Sequence, residues 1–405
     1  MSQDDIFILT GENEVARPGA VSRRGFLHTA AAGAAGLAMI RTASGQDRAA
    51  APAPAVPIKT NIDEIKNIPR TPASMPGRYP GRVVKVSAPG ASTGGKIDPA
   101  KAAEAVRSGM AGLTGETDMG RAFRQFVSPS DVVGIKINPI GRALLSTKPE
   151  VVDAIIAGLL AAGLPKSNIV IWDRRHFQMV EAGYTPERFP GIEIVGTEHT
   201  GPNGEYYDDK GEMWAKDSID REAPFYFADV EMKYNRDVLP LMLNEGKESY
   251  FSKIVTRRLT KIINVPIFKN SGTTVTLCLK NLAYGSISNT GRLHKIWAES
   301  VAEPNAFPAL RDKLVLNIVD GLQGCYDGGP GANPKFFFDP NLMLFGTDPV
   351  AVDLVGHELM INERIDRGIQ QFDDKSRRRF VDIAASLGLG VGKREAIVLK
   401  ELILA

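Results

Sequence analysis

Two apolar strands joined by an amphipathic helix constrain the fold of this chain more than any other feature of its sequence. We predict the strands at 131–137 and 168–172 and the helix at 149–162. Within the helix, apolar residues recur at intervals of three and four, which is the period of a helix with one buried face. Because two strands joined by a helix usually pair in parallel, this order predicts an α/β fold.

Similar patterns extend this unit into one large domain. Further strands are predicted at 82–87, 261–268, 314–319 and 395–402, of which 261–268 and 314–319 are expected to be buried. We therefore predict a mixed, mainly parallel sheet with helices on both faces, in an α/β domain that spans 81–405. A polar stretch near 196–235 lacks such patterns and indicates an insertion into that domain.

The composition is that of a soluble globular protein. Of the 405 residues, 43% are apolar and 24% are charged, and the formal net charge is +2. No basic stripe with interleaved aromatic residues is present, so we do not expect nucleic acid as a partner.

The N-terminal region resembles a twin-arginine export signal, predicted at 1–46. Arg23 and Arg24 precede a short stretch rich in alanine and glycine. A membrane anchor is the alternative, but a span needs about twenty apolar residues and this stretch is shorter. We expect a periplasmic or secreted protein, with the twin-arginine translocase as its partner during export and no membrane span in its mature form.

Export in the folded state favours a cofactor that is bound before export. The cofactor itself cannot be named from the sequence. Residues 47–80 begin with a run rich in proline and alanine and are predicted to be a linker.

The two cysteines, Cys278 and Cys325, are too few to hold an iron–sulfur cluster, which needs about four thiolate ligands. In an oxidising compartment they could form a disulfide. Alternatively, Cys278 is a small core residue within an apolar run, and Cys325 lies in a glycine-rich loop.

Polar residues stand where the predicted strands end, and ligands of open parallel sheets bind outside the carboxyl ends of the strands. We therefore expect these residues to face one crevice. They are Lys136, Asn138, Asp173, Lys269, Asp320 and Asp348. For Asp348, which precedes a proline, a helix cap is the alternative.

Lysines beside asparagines suit an anionic ligand such as a carboxylate or a phosphate. We assign catalytic roles to Lys269, Lys280, Asp173 and Asp320, because a buried lysine or an aspartate can act as an acid, a base or a nucleophile. Ligand binding is assigned to Lys136, Asn138, Asn281 and Asp348. A divalent metal is also possible in principle, with His294 as its candidate ligand.

With these residues placed, the chain resembles the family called domain of unknown function 362, from about position 82 to the C-terminus. The resemblance rests on VGIKIN at 133–138, IVIWD ending at 173, IINVPIFK ending at 269, LCLKNLAYG at 277–285, VDGLQG at 319–324 and GTDPVAVDLV at 346–355. It implies a mixed α/β domain whose chemistry is unassigned.

Many members of that family carry an appended ferredoxin segment with cysteine ligands. This sequence shows no such segment, which argues against a role in electron transfer. Asn270 also follows Lys269 where relatives often have a polar residue and a histidine.

Two functions of different classes follow from these patterns. In the first, the protein is an exported enzyme that acts on an anionic small molecule or a metal-bound cofactor in the crevice. In the second, it is a periplasmic protein that binds such a cofactor, metal or ligand without converting it.

Overall fold

Parallel strands that alternate with helices build the core of the protein. The computed structural model describes residues 57–231, 246–272, 274–369 and 374–405. The predicted signal peptide, the first ten residues of the predicted linker and the end of the predicted insertion, 232–235, lie outside the described residues.

The strands are β1 Arg82–Ser87, β2 Ser92–Thr93, β3 Lys96–Ile97, β4 Val133–Lys136, β5 Ile169–Arg175, β6 Glu193–Glu198, β7 Tyr226–Phe227, β8 Glu248–Ser249, β9 Lys261–Asn264, β10 Ile267–Ser271, β11 Thr274–Thr276, β12 Leu314–Cys325, β13 Phe337–Phe338, β14 Leu342–Gly346 and β15 Val398–Ile403. The α-helices are α1 Ile62–Lys66, α2 Pro99–Thr114, α3 Met119–Arg124, α4 Pro149–Ala161, α5 His176–Glu181, α6 Cys278–Ser286, α7 Trp297–Ala302, α8 Pro308–Arg311, α9 Pro349–Asp366 and α10 Asp374–Ser386.

Within the described residues, eleven strands form one sheet in the order β15-β1-β14-β12-β9-β4-β5-β6, with β10, β11 and β13 paired beside this path. Along the main path, β14 is antiparallel to both of its neighbours and the other pairs are parallel. We call the edge where these parallel strands end the carboxyl edge. The predicted mixed, mainly parallel sheet is confirmed.

Side chains alternate between the two faces of each strand, and each face has its own core. Val84 and Val86 of β1 pack in the core that α2, α3 and α4 cover, whereas Val83 packs in the core of α6, α9 and α10. Ile262 and Ile263 of β9 divide between the two cores in the same way. Helices therefore cover both faces, as the sequence predicted.

The last part of the predicted linker is folded. Residues 57–80 include α1, whose Ile62 and Ile65 are buried, and Met75, whose N–H donates to the Arg311 carbonyl at 2.8 Å. The domain therefore starts before position 81, because these apolar residues complete the core beside α8.

Strand β12 runs past the point where the sequence predicted its end. A loop was expected after Val319, but pairing with β14 continues through Asp320 and Gly321. Gly321 permits this close pairing, since an added Cβ would lie 2.7 Å from the Leu342 carbonyl oxygen. A second difference concerns 261–268, where Pro266 separates β9 from β10.

Cys278 and Cys325 are both buried free thiols. Among the helices of the described ranges, none is both long and apolar enough to cross a bilayer.

Candidate functional site

A buried ion pair lies at the carboxyl edge, between the neighbouring strands β4 and β5. Lys136 ends β4 and donates from Nζ to Asp173 Oδ1, to the Ile137 carbonyl at 2.7 Å and to Asn281 Oδ1 at 3.2 Å. Burial lowers the pKa of Lys136, and the charge of Asp173 opposes this shift. The pair brings together two side chains that the sequence assigned separately to ligand binding and catalysis.

Asparagines connect this ion pair to its surroundings. Asn281 Oδ1 also accepts from Asn138 Nδ2 at 2.9 Å, and Asn281 Nδ2 donates to Asn264 Oδ1 at 2.8 Å. Asn264 in turn donates to Asn317 Oδ1 at 3.0 Å. All four are buried, so their hydrogen bonds fix the orientation of each amide in a low-dielectric interior.

Lys269 is the most deeply buried cation of the site. Its side chain in β10 is fully buried, and Nζ donates to Asn138 Oδ1 at 3.0 Å. No carboxylate of the described residues forms a salt bridge with it. Burial first, and then the positive charge of Lys280, lower the pKa of Lys269 to about 7. The amine is therefore divided between its charged and neutral forms near neutral pH.

Lys280 lies in the first turn of α6 and is partly exposed. Its Nζ donates to Ser271 Oγ and lies 5.6 Å from the centre of the Tyr284 ring. Burial lowers the pKa of Lys280 to about 8. The start of α6 is held by Asp353 of α9, whose carboxylate accepts from the N–H groups of Cys278 and Leu279 at 2.6 and 3.0 Å.

Gly285 allows α6 to approach the ion pair. A Cβ added at this residue would lie 1.9 Å from Lys136 Cε and 3.3 Å from Asp173 Oδ1. No side chain fits there unless the lysine moves.

We therefore expect Gly285→Ala to lower the free energy of unfolding by about 1–3 kcal/mol, the usual cost of overpacking, although alanine is the better helix former. Urea denaturation measures this change. Gly331→Ala is the matched control because nothing lies within 4 Å of its added Cβ. Equal stability of the two variants would contradict the close approach.

Two predicted site residues, Asp320 and Asp348, accept hydrogen bonds from backbone N–H groups at or next to the start of a helix. Asp320 accepts from the N–H of Lys148, the residue before α4, at 2.7 Å and from the N–H of Leu322 at 3.1 Å. Burial raises the pKa of Asp320 to about 6. It lies near the carboxyl edge, but none of its hydrogen bonds within the described residues is made to Lys136, Lys269 or Lys280.

The prediction that Asp348 lies in the crevice is wrong. Strand β14 runs antiparallel, so its end lies at the opposite edge of the sheet from the ends of its neighbours. There the Asp348 carboxylate caps α9 by accepting from Val350 and Ala351, and it also accepts from Gly81 and Val391.

His294 follows α6, and its ring packs edge-on against Tyr284 with the ring centres 5.4 Å apart. Its Nδ1 lies 3.1 Å from the Gly291 carbonyl oxygen. In the part of the chain that the structure describes, no group of three or more histidine, cysteine, aspartate or glutamate side chains is arranged to hold a metal ion.

Sequence patterns missed three residues of the site. They are Ser271 in β10, Gly285 in α6 and Asn264 in β9. The asparagine within an apolar strand was a usable signal, because a buried amide needs polar partners. The other two roles depend on contacts between distant segments.

Comparison with known proteins gives a family but no activity. No curated protein matches the chain. A similar solved structure is a protein from Thermotoga maritima, a target of the Northeast Structural Genomics Consortium, with 10% sequence identity and a TM-score of 0.33. The match covers 67% of this chain and 59% of that protein, so the chain spans about three fifths of its length.

The family described as a domain of unknown function (DUF362) matches residues 133–358. This match covers more than half of the chain and includes every lysine of the carboxyl-edge site. The protein therefore belongs to the DUF362 family.

Proposed function

We propose that the carboxyl edge binds an anionic small molecule, a carboxylate or a phosphate, and that the protein is an enzyme acting on it. One observation carries this proposal. Lys269 is a fully buried amine whose hydrogen-bond acceptor among the described residues is a neutral amide.

Charge supports an anionic ligand. Lys136, Lys269 and Lys280 lie in one cluster, and among the described residues the carboxylate that forms an ion pair with this cluster is Asp173, through Lys136. Burying a charge without a counter-charge costs several kcal/mol, and a bound anion would offset that cost. Lysine is a compact cation that suits carboxylate and phosphate oxygens.

The lowered pKa supports catalysis. An amine that is partly neutral near pH 7 acts as a general base, or attacks a carbonyl group as a nucleophile. A protein that only binds anions has no need of such an amine. Burial lowers the pKa of Lys136 as well, but Asp173 opposes that shift, whereas Lys269 has no such ion-pair partner among the described residues.

Binding is tested by titrating the protein with phosphate, oxalate and succinate in a calorimeter. We expect at least one of these anions to bind the wild type and to bind Lys269→Met at least tenfold more weakly. Lys261→Met is the matched control, because Lys261 begins β9 at the opposite edge. Equal affinity in wild type and Lys269→Met would refute the proposal, and binding without turnover of any carboxylate or phosphate ester would favour a binding protein.

Anion affinity should also depend on pH. The cation is present below the pKa of Lys269, near 7, and is lost above it. Above that pKa the amine is mostly neutral. We therefore expect the affinity to fall by up to about tenfold for each unit by which the pH exceeds the pKa. Calorimetry between pH 6 and 9 measures the fall. If the affinity does not change over this pH range, Lys269 does not supply the charge.

We further propose that the protein is exported by the twin-arginine pathway and acts in the periplasm or outside the cell. We also propose that it acts without a ferredoxin segment and without nucleic acid as a partner. The paired arginines, Arg23 and Arg24, support export by this pathway. Two cysteines are too few for the cluster of a ferredoxin segment. Changing Arg23 and Arg24 together to lysine should leave the protein in the cytoplasmic fraction. Unchanged export of that variant, measured by cell fractionation, would refute the pathway.

A further inference from the structure

A serine and a lysine meet at the outer side of the site in an arrangement that the proposed function does not use. Lys280 Nζ donates to Ser271 Oγ, and within the described residues this is the one hydrogen bond that Lys280 Nζ makes. We propose that Ser271 is a nucleophile and Lys280 its general base, and that the crevice transfers the acyl group of a carboxylic ester or thioester that carries an anionic group. The substrate class rests on the proposed function, because Lys269 would hold the anion.

Both side chains are fixed by their surroundings. Ser271 ends β10 and pairs with Thr274 across the β10–β11 hairpin. Lys280 is held by α6, whose first N–H groups are bound by Asp353. A nucleophile and a base on rigid elements keep the geometry that proton transfer requires.

The environment of Lys280 is that of a base. A lysine that only stabilises the fold usually pairs with a carboxylate, whereas Lys280 contacts a hydroxyl and the face of Tyr284. Burial favours its neutral form, which accepts a proton. Serine–lysine pairs of this kind replace the serine–histidine pair in some hydrolases.

A donor for an oxyanion and the cation that holds the anionic group lie on the same face of the hairpin as Ser271. Lys269 is two residues before Ser271, so the two side chains point to one side of β10, about 7 Å apart along the strand. Thr276 pairs with Lys269 across the hairpin, and its buried hydroxyl has no hydrogen-bond partner among the described residues. The Thr276 hydroxyl is a suitable donor to a developing negative charge, while the Lys269 ammonium holds the anionic end of the substrate.

Lys280 lies nearer to solvent than Lys269 does. Lys280 is partly exposed and Gly272 is exposed, whereas Ser271 is 5% exposed and Lys269 is fully buried. A substrate can therefore present its carbonyl group to Ser271 and extend its anionic end toward Lys269.

The proposed reaction uses Ser271, Lys280, the substrate and water. Neutral Lys280 takes the proton of Ser271 as Oγ bonds to the carbonyl carbon. The bond from that carbon to the leaving alkoxide or thiolate breaks, and the Lys280 ammonium returns its proton to the leaving group. Water, deprotonated by Lys280, then attacks the acyl-serine, which releases the carboxylic acid and restores the serine hydroxyl.

The test is labelling of the full chain by an uncharged fluorophosphonate, which phosphonylates an activated serine and releases fluoride. Mass spectrometry should find one adduct, located on Ser271. Ser271→Ala should abolish it, and Ser167→Ala, at an exposed serine, should leave it unchanged. Lys280→Met and Lys280→Arg should both slow labelling at least 100-fold, and melting temperatures show which variants are folded. Arginine keeps the positive charge but does not act as a base at neutral pH.

No adduct on the folded wild type, an adduct on another residue, or equal labelling of folded Lys280→Arg would overturn the inference. Because the probe carries no charge, its result does not depend on anion binding. Labelled Ser271 without anion binding would refute the proposed function alone, and anion binding without labelling would refute this inference alone. When both hold, wild type should prefer mono-p-nitrophenyl succinate to p-nitrophenyl acetate, and Lys269→Met should lose that preference.

Discussion

Lys269→Met is expected to lower the turnover of anionic substrates at least tenfold and to change how the stability of the protein depends on pH. The loss of a charged hydrogen bond to the ligand corresponds to about 1.5–3 kcal/mol, or roughly 10- to 150-fold in affinity. The effect on turnover should be at least as large, because the same amine contacts the reacting molecule.

The pH dependence follows from the lowered pKa. The folded protein holds fewer protons on Lys269 than the unfolded chain does, between pH 7 and the ordinary lysine value of 10.5. The free energy of unfolding therefore rises with pH across this window, by up to about 1.4 kcal/mol per unit. Lys269→Met should lack this contribution, while Lys280 still provides its own. Urea denaturation of both proteins at pH 7, 8 and 9 measures the difference, and parallel curves would contradict the burial of a titrating amine.

Breaking the ion pair between Lys136 and Asp173 should have the largest effect on stability. Removing one partner leaves the other charge buried, which costs about 3–5 kcal/mol. Lys136→Met or Asp173→Leu alone should therefore destabilise the protein strongly. The double variant should lose much less than the sum of the two, because it leaves no unpaired charge.

The double-mutant cycle is measured by urea denaturation. Arg188 and Asp153 form a matched surface pair, each about two-fifths exposed at 42% and 43%. Arg188→Ala should cost under about 1 kcal/mol, since solvent screens exposed ion pairs. Additive effects of the two buried substitutions would show that the pair is not coupled.

Local sequence patterns were sufficient to predict the sheet and one edge of it. Apolar runs that alternate with amphipathic helices give parallel strands, and the ends of parallel strands meet. For this reason the sequence predicted Lys136, Asp173 and Lys269 at one edge, where Lys136 pairs with Asp173 and Lys269 donates to Asn138. The direction of β14 carries no local signal, and so Asp348 was assigned to this edge, although the helix cap that it forms at the other edge was the stated alternative.

The finer features of the site depend on distant contacts. Gly285 lies next to Lys136 only because α6 crosses the ends of β4 and β5, and Ser271 meets Lys280 only because the hairpin turns back onto α6. Neither distance follows from the periodicity of either segment. The extension of β12 through Asp320 likewise depends on its pairing with β14, although its glycines indicated a loop.

The most direct test of the anion site is a titration of Lys269 itself. Protein labelled with ¹³C at the lysine ε-carbons is followed by NMR from pH 5 to 11, and Lys269→Met assigns the signal. We predict a midpoint near 7 that moves upward when the anion found by calorimetry is added, because a bound anion stabilises the charged amine. A midpoint near the ordinary lysine value of 10.5, unchanged by the anion, would contradict the account.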